Sequence, residues 1–262
     1  MNSLKLQNKK IIISAAAEGI GWVIAQACIK NGATVYITDR DTKALNKISK
    51  HKLYQKKIFT DVVNTNNYNE VKKYFKTIKD KTDNIDALIN NVGIAGPTGQ
   101  LEDINIKDWQ ETIDININSH FYYTKLAIPL LKNATGGSII NLSSTAGLFG
   151  FPSRSPYAAS KWAVIGITKT LAMELGKFNV RVNAICPGAV SGDRMKRVIK
   201  AKAKSLHQTE QKVQKDFESY VSLRSFVTKE DIANMAVFLL SDNAHKINGQ
   251  VMTIDGFTER MN

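Results

Sequence analysis

The sequence predicts an α/β fold, a doubly wound parallel sheet with helices on both faces, and three observations carry that prediction. Short apolar runs such as residues 10–15 are continuous and not alternating, as strands buried on both faces must be. Such runs alternate regularly with segments of helical apolar period along almost the whole chain. The first run ends in a glycine turn, Ser14-Ala-Ala-Ala-Glu-Gly-Ile-Gly21, that opens straight into a helix. No linker, internal repeat or low-complexity stretch interrupts the 262 residues, so residues 1–262 read as one domain.

Taken in order, the first strand (residues 10–15) leads through the turn into a helix reaching about residue 30. Strand, glycine turn and helix form the setting that a dinucleotide pyrophosphate needs: exposed backbone N–H groups and a helix N-terminus facing the anion. Gly19 and Gly21 allow the backbone to come close. Asn31-Gly32 closes the helix, and a second strand at 33–38 finishes at Asp39. An acid about 20 residues beyond the turn can accept hydrogen bonds from a ribose 2′-hydroxyl.

The pattern continues with a helix near 41–49, a strand near 53–60 followed by Asp61-Val62, a helix near 68–79 and a strand at 87–90. Asn91-Val-Gly-Ile-Ala-Gly-Pro is a loop. A long helix near 106–131 precedes a strand at 138–143. The helix carrying Tyr157 runs to about residue 176, and a strand at 180–186 stops at Pro187-Gly188. Residues 189–224 then break the alternation with a long helical segment bearing Arg194, Lys196, Arg197, Lys200, Lys202 and Lys204. This segment follows the carboxyl end of a strand, where open α/β sheets hold ligands, and is expected to form a substrate lid. Its basic residues read as a solvated outer face or as attraction for an anionic substrate. A helix at 229–242 and a strand at 249–254 complete the alternation.

The chemistry concentrates in residues 139–161, which open as a buried strand and close as the start of a helix. Tyr157 and Lys161 are four residues apart, which stacks them on one helix face. A lysine ammonium beside a phenol favours the phenolate and makes it able to move protons at neutral pH. Ser144, at the end of the preceding strand, can point a hydroxyl at the same place. Together these predict a proton-transfer site for an alcohol or a carbonyl. The pair alone would also suit a solvated lysine beside a half-buried ring, so the prediction depends on the surrounding motifs.

Composition narrows the setting. No run of 18 apolar residues offers a membrane helix, and the first ten residues lack an apolar signal core, so a cytoplasmic location is expected. Cys28 and Cys186 sit in apolar contexts, as buried thiols in a reducing compartment do. The net charge of +13 invites a polyanion partner. However, the excess is lysine spread along the chain, with no arginine-rich arm, zinc-finger spacing or aromatic RNA-binding signature, which argues against nucleic acid. No metal ligand set is read from the sequence.

These residues resemble the short-chain dehydrogenase/reductase family over nearly the whole chain. The matching pieces come in order: Ser14-Ala15-xxx-Gly19-Ile20-Gly21; Asp61-Val62; Asn90-Asn91-Val92-Gly93; Asn116 after Trp109; Ser144 thirteen residues before Tyr157; Tyr157-xxx-Lys161; and Pro187-Gly188. The resemblance implies a Rossmann-type sheet and a catalytic set of Asn116, Ser144, Tyr157 and Lys161. Tyr157 would be the general acid/base, and Ser144 would hold the substrate oxygen. Lys161 would bind the nicotinamide ribose and favour the Tyr157 phenolate. Asn116 would hold a water linking Lys161 to solvent. Cofactor contacts would come from Ser14, Gly19, Ile20, Gly21, Asp39, Arg40, Asp61, Val62, Asn90, Gly93, Tyr157, Lys161, Pro187, Gly188 and Val190. Within that set Asp61 and Val62 would flank the adenine, Asn90 and Gly93 its ribose, and residues 187–190 the carboxamide.

Three departures stand out. Ala15 replaces the family's usual glycine, Val92 its usual alanine, and no threonine follows Pro187-Gly188, where Ser191 comes nearest. Asp39 and Glu18 favour NAD over NADP by repelling a 2′-phosphate, whereas Arg40 argues the other way. The resemblance also implies a homotetramer assembled through the helices at 106–131 and 157–176. The expected activity is interconversion of a secondary alcohol and a ketone with NAD, on a small-molecule substrate that is anionic in one variant of the reading. An NADPH-dependent 3-oxoacyl reductase is the alternative enzyme. A cofactor-sensing binding protein with weak catalysis is the alternative from another class.

Overall fold

The computed structural model describes residues 5–50 and 56–259. Seven strands form one sheet: β1 (Lys10–Ile13), β2 (Thr34–Asp39), β3 (Ile58–Val62), β4 (Ala87–Asn90), β5 (Gly137–Leu142), β6 (Val180–Pro187) and β7 (Val251–Ile254). Their spatial order is β3-β2-β1-β4-β5-β6-β7, and every pair is parallel. The connection from β3 crosses back to β4 beside β1, so the winding reverses between β1 and β4. In open α/β sheets that switch point is where the crevice for a ligand opens.

The helices are α1 (Gly19–Lys30), α2 (Thr42–Ser49), α3 (Tyr68–Lys81), α4 (Ile106–Ile113), α5 (Ser119–Lys132), α6 (Ser155–Leu175), α7 (Asp193–Leu206), α8 (Glu210–Ser219) and α9 (Lys229–Leu240). Alternate strand residues divide between the two faces, as a period of two requires. Ile11, Ile13, Ile89 and Ile140 pack with α1, α2 and α9, while Ile12, Leu88 and Ile139 pack with α3, α5 and the end of α6. Because both faces are covered, the strands needed to be continuously apolar, which is how they were legible.

The helix expected at 106–131 is not one α-helix. A π-helical turn, Asp114–Asn118, separates α4 from α5. Asn116 lies within it, fully buried, and its side chain bonds outward to Ile94 and Ser160. Single π turns inside α-helices are frequent at functional sites. The expected strand near 53–60 begins with residues that lie outside those described, and its described part is β3.

The segment at 189–224 forms α7 and α8, which enclose a small core of Ile199, Ala203 and Val213 with Met195, Phe217 and Phe226 against it. Its base is closed by a parallel bridge between Val190 and Val227. Lys196, Arg197, Lys200 and Lys204 are all exposed, on the solvent side of this unit. Among the described residues, no helix is long and apolar enough to cross a membrane.

Candidate active site

The glycine turn sits at the end of β1. Gly19 has φ +64°, and a Cβ there would meet nothing within 4 Å. Gly21 is the opposite case: a Cβ would come 2.9 Å from Ala16 Cα, so only glycine lets α1 pack this close to the turn. The N-cap Glu18 supplies no side-chain cap, and no acid follows in the first turn of α1. The helix N-terminus therefore keeps its N–H groups and positive dipole end for an anion.

Ala15 adopts φ +50°. An L-residue with a Cβ pays about 1–2 kcal/mol in this left-handed region, where glycine pays nothing. Asn91 holds the strained turn. Its Nδ2 donates to Ser14 O at 3.1 Å and to Ala15 O at 2.7 Å, and its backbone N–H donates to Ser14 Oγ at 3.1 Å. Asp39 holds it from the other side. One carboxylate oxygen accepts from Ala17 N–H at 3.1 Å and the other from Asp41 N–H at 3.1 Å. The acid predicted for the ribose is therefore already fixed at the turn's edge, next in register to Val62, which is exposed.

Two predicted cofactor residues have their side chains elsewhere. Asn90 is fully buried; its amide donates to Thr124 Oγ1 at 2.9 Å and Asn141 Oδ1 at 2.8 Å, tying β4 to α5 and β5. Ser14 is fully buried, with its hydroxyl at Ile89 O and Asn91 N. Each shapes the crevice through the backbone it braces.

On α6, Lys161 Nζ lies 5.7 Å from the Tyr157 ring centroid. Lys161 is buried, and its ammonium donates to Leu142 O at 3.0 Å. α6 is seated by Gly147, where a Cβ would come 2.7 Å from both Lys161 O and Ser143 Oγ. Ser143 Oγ donates to Lys161 O at 2.8 Å. Ser144 follows, its Oγ accepting from Ala146 N–H at 3.2 Å and keeping its own proton to donate. The strand end that carries Ser144 is thus locked to the helix that carries Tyr157 and Lys161.

Gly93 brings the remaining groups together, since a Cβ there would stand 3.2 Å from Lys161 Nζ and 3.4 Å from Asn116 Oδ1. Asn116 Oδ1 accepts from Ile94 N–H at 2.8 Å, and its Nδ2 donates to Ile94 O and Ser160 Oγ. Both of its amide protons are thus used, while Oδ1 accepts one of the two bonds it can take. Pro187 ends β6, and Gly188 and Val190 follow it; Gly188 packs on Asp255, where a Cβ would come 2.7 Å from the Asp255 Cβ.

Three residues near the site were not singled out in the sequence. Asn91 braces the turn. His120 Nε2–H donates to Val92 O at 3.0 Å. Arg154 donates to Ala95 O and Thr98 Oγ1, each at 2.8 Å, and its guanidinium lies 5.7 Å from the Tyr157 ring centroid. Burial, and then the Lys161 charge, pull the His120 imidazole down from 6.5 to about 3, so it is neutral. Position was the signal for two of them: His120 is four residues beyond Asn116, and Arg154 three before Tyr157.

A glycine turn at the switch point, an acid at the end of β2, and a Tyr–Lys pair beside a serine define a dinucleotide-dependent oxidoreductase. The family model described as enoyl-(acyl carrier protein) reductase matches residues 15–257. A 3-oxoacyl-[acyl-carrier-protein] reductase of Thermotoga maritima is 32% identical over 254 residues, 97% of this chain and 98% of its own. A trans-4-hydroxycyclohexanecarboxylate dehydrogenase of Sinomonas cyclohexanicum is 35% identical over 261 residues, 96% of this chain and 93% of its own. Among solved structures, an NAD+-bound xylitol dehydrogenase superposes with a TM-score of 0.88 at 26% identity, covering 95% of this chain and 99% of its own. The chain belongs to the short-chain dehydrogenase/reductase family and is an oxidoreductase of alcohols and ketones.

Because Ala15 stores strain that glycine would release, Ala15→Gly is expected to stabilise the protein by about 1 kcal/mol, net of the entropy glycine adds to the unfolded chain. That is a rise of roughly 2–4 °C in Tm by differential scanning calorimetry. An unchanged or lower Tm would mean that the φ of +50° costs nothing here.

Proposed function

We propose that this chain is an NAD-dependent alcohol dehydrogenase or ketone reductase in which Tyr157 moves the proton. The observation that carries the reading is the buried Lys161 ammonium, one helical turn beyond Tyr157 and 5.7 Å from its ring centroid, on a helix locked to the Ser144 strand end. The uncapped N-terminus of α1 and the open space at Gly19 suit a pyrophosphate, and Asp39 suits an adenine ribose. When bound, the nicotinamide ring supplies or receives the hydride.

In the oxidising direction Ser144 donates to the substrate oxygen and holds it, while the Tyr157 phenolate takes the hydroxyl proton. Lys161, itself buried, balances the phenolate charge and binds the ribose on the nicotinamide side. The proton then passes toward Asn116 and a water held there. In the reducing direction Tyr157 returns the proton to the forming alkoxide.

NAD is favoured over NADP. A 2′-phosphate would meet the Asp39 carboxylate and Glu18, against attraction from Arg40 alone. The substrate is a small secondary alcohol or ketone, with an anionic group preferred. Supporting this preference are the Arg154 guanidinium beside Tyr157 and the carboxylate in the name of the Sinomonas relative. The exposed lysines of α7 add attraction at long range only. A second reading, NADPH-dependent reduction of a 3-oxoacyl thioester, is favoured by the Thermotoga relative, whose name carries that substrate.

Assembly as a homotetramer is supported by Ile106, Phe121, Trp162 and Met173, which leave large apolar side chains exposed on α4, α5 and α6. Buried, unpaired Cys28 and Cys186 suit a reducing compartment such as the cytoplasm.

Three measurements test these readings. Tyr157→Phe should leave the NADH Kd within about threefold while lowering kcat by about 10²–10⁴-fold, whereas Lys161→Met should weaken both. Turnover that survives Tyr157→Phe would remove Tyr157 as the acid/base. In a panel of hydroxy acids, sugars, polyols and 3-oxoacyl thioesters, NAD+ should give at least about tenfold higher kcat/KM than NADP+, with hydroxy acids turned over best. The opposite cofactor ratio, with activity confined to thioesters, would select the second reading. Light scattering should give the mass of four chains, and a monomer would refute the assembly.

A further inference from the structure

Three consecutive residues after β4 are clamped by two side chains from the stacked helical segments that run through α5. His120 Nε2–H donates to Val92 O at 3.0 Å. Two residues on, Asn116 brackets Ile94, accepting from its N–H at 2.8 Å and donating to its carbonyl at 3.0 Å. Gly93 lies between the two anchors, with its Cα facing Lys161 Nζ and no room for a side chain without crowding the ammonium. The two helix side chains therefore set how closely the backbone at Gly93 approaches Lys161.

His120 is an expensive way to make half of this clamp. The side chain is 3% exposed, and its Nδ1 is enclosed with no hydrogen-bond partner. A buried acceptor left unsatisfied costs free energy that an apolar residue of similar size would not. Its Nε2–H accounts for the choice: the Val92 carbonyl needs a donor, and a neutral imidazole gives one without placing a second cation beside Lys161. The low pKa of about 3 agrees with that neutrality. A local rule broken in the core next to a site is what a functional constraint looks like.

We propose that His120 is a positioning residue for the dinucleotide site, holding the Val92 carbonyl so that Gly93 fixes Lys161 where it serves cofactor and Tyr157 together. This inference rests on the reading of Tyr157 and Lys161 given above. It goes beyond that reading by making Lys161 placement depend on a side chain that touches neither substrate nor cofactor. It also assigns a role to Val92: the larger side chain lies on a backbone that is anchored at its carbonyl.

The test compares His120→Leu, which removes the donor, with His120→Gln, whose amide can restore it, in the full chain. NADH affinity is read by fluorescence titration, kcat and KM with the best alcohol of the panel, and Tm by calorimetry. His120→Leu should weaken NADH binding and lower kcat, each by about tenfold, as displaced active-site groups do, with alcohol KM within about twofold. His120→Gln should restore both to within about threefold, with the two variants matching in Tm to within about 3 °C. Leucine binding NADH and turning over like wild type overturns the proposal. So does equal loss in both variants together with a fall in Tm, which would make His120 a packing residue. Wild type that binds no NADH overturns the dinucleotide reading and this inference with it, whereas binding with an unaffected leucine variant overturns this inference alone.

Discussion

The close approach of α6 to the end of β5 is the contact on which the site depends. Gly147 has no side chain, so the backbone after β5 reaches the Lys161 carbonyl, and the Ser143 hydroxyl bonds to it. Any Cβ at Gly147 would push α6 outward and move Tyr157 and Lys161 with it. Ser144 would stay with the strand. The proposed reacting groups thus come from two elements whose separation is set by one missing methyl and one hydrogen bond, and side chains placed this way need no loop to order them.

The fold was legible because a parallel sheet covered on both faces demands long apolar strands, and those strands are separated by helices of clear period. The Tyr157–Lys161 pair was legible for a similar reason, since four residues on a helix is a distance as well as a spacing. Contacts that arise only when distant segments meet were not legible. Asn91 bonds to the carbonyls of Ser14 and Ala15, about 76 residues earlier, and nothing local marks it as the brace of the turn. Asn90 shows the converse. Its place in the motif was legible, but the bonds of its amide to Thr124 and Asn141 appear only when β4, α5 and β5 come together. The π turn at Asp114–Asn118 was hidden because the apolar period runs through it almost unbroken, and the Asn116 bonds to Ile94 and Ser160 that accompany it reach outside the helix.

Ala15 and Asn91 are best understood together. An alanine at φ +50° is tolerated only where the surroundings over-determine the backbone. Here two carbonyls of the turn are held by one amide, and the Ala17 N–H by the Asp39 carboxylate. The turn keeps its shape without its usual glycine because β4 and β2 grip it from both sides. The same grip pre-orders the Asp39 carboxylate and the α1 N-terminus, so ordering them need not be paid on binding.

Charge then has to be sorted by depth. The basic excess of the chain suggests attraction for anions, but the described basic residues of α7 stand on the solvent side, where salt screens them within about 10 Å. Arg154 differs in kind. It is tied to Ala95 and Thr98 in the loop beyond β4, and its guanidinium reaches the Tyr157 ring. A cation fixed against the proton-transfer group acts at short range and in one orientation, which a mobile surface lysine cannot do. The proposed preference for an anionic substrate therefore rests on the arginine joining the β4 loop to the start of α6, and not on the net charge of the sequence.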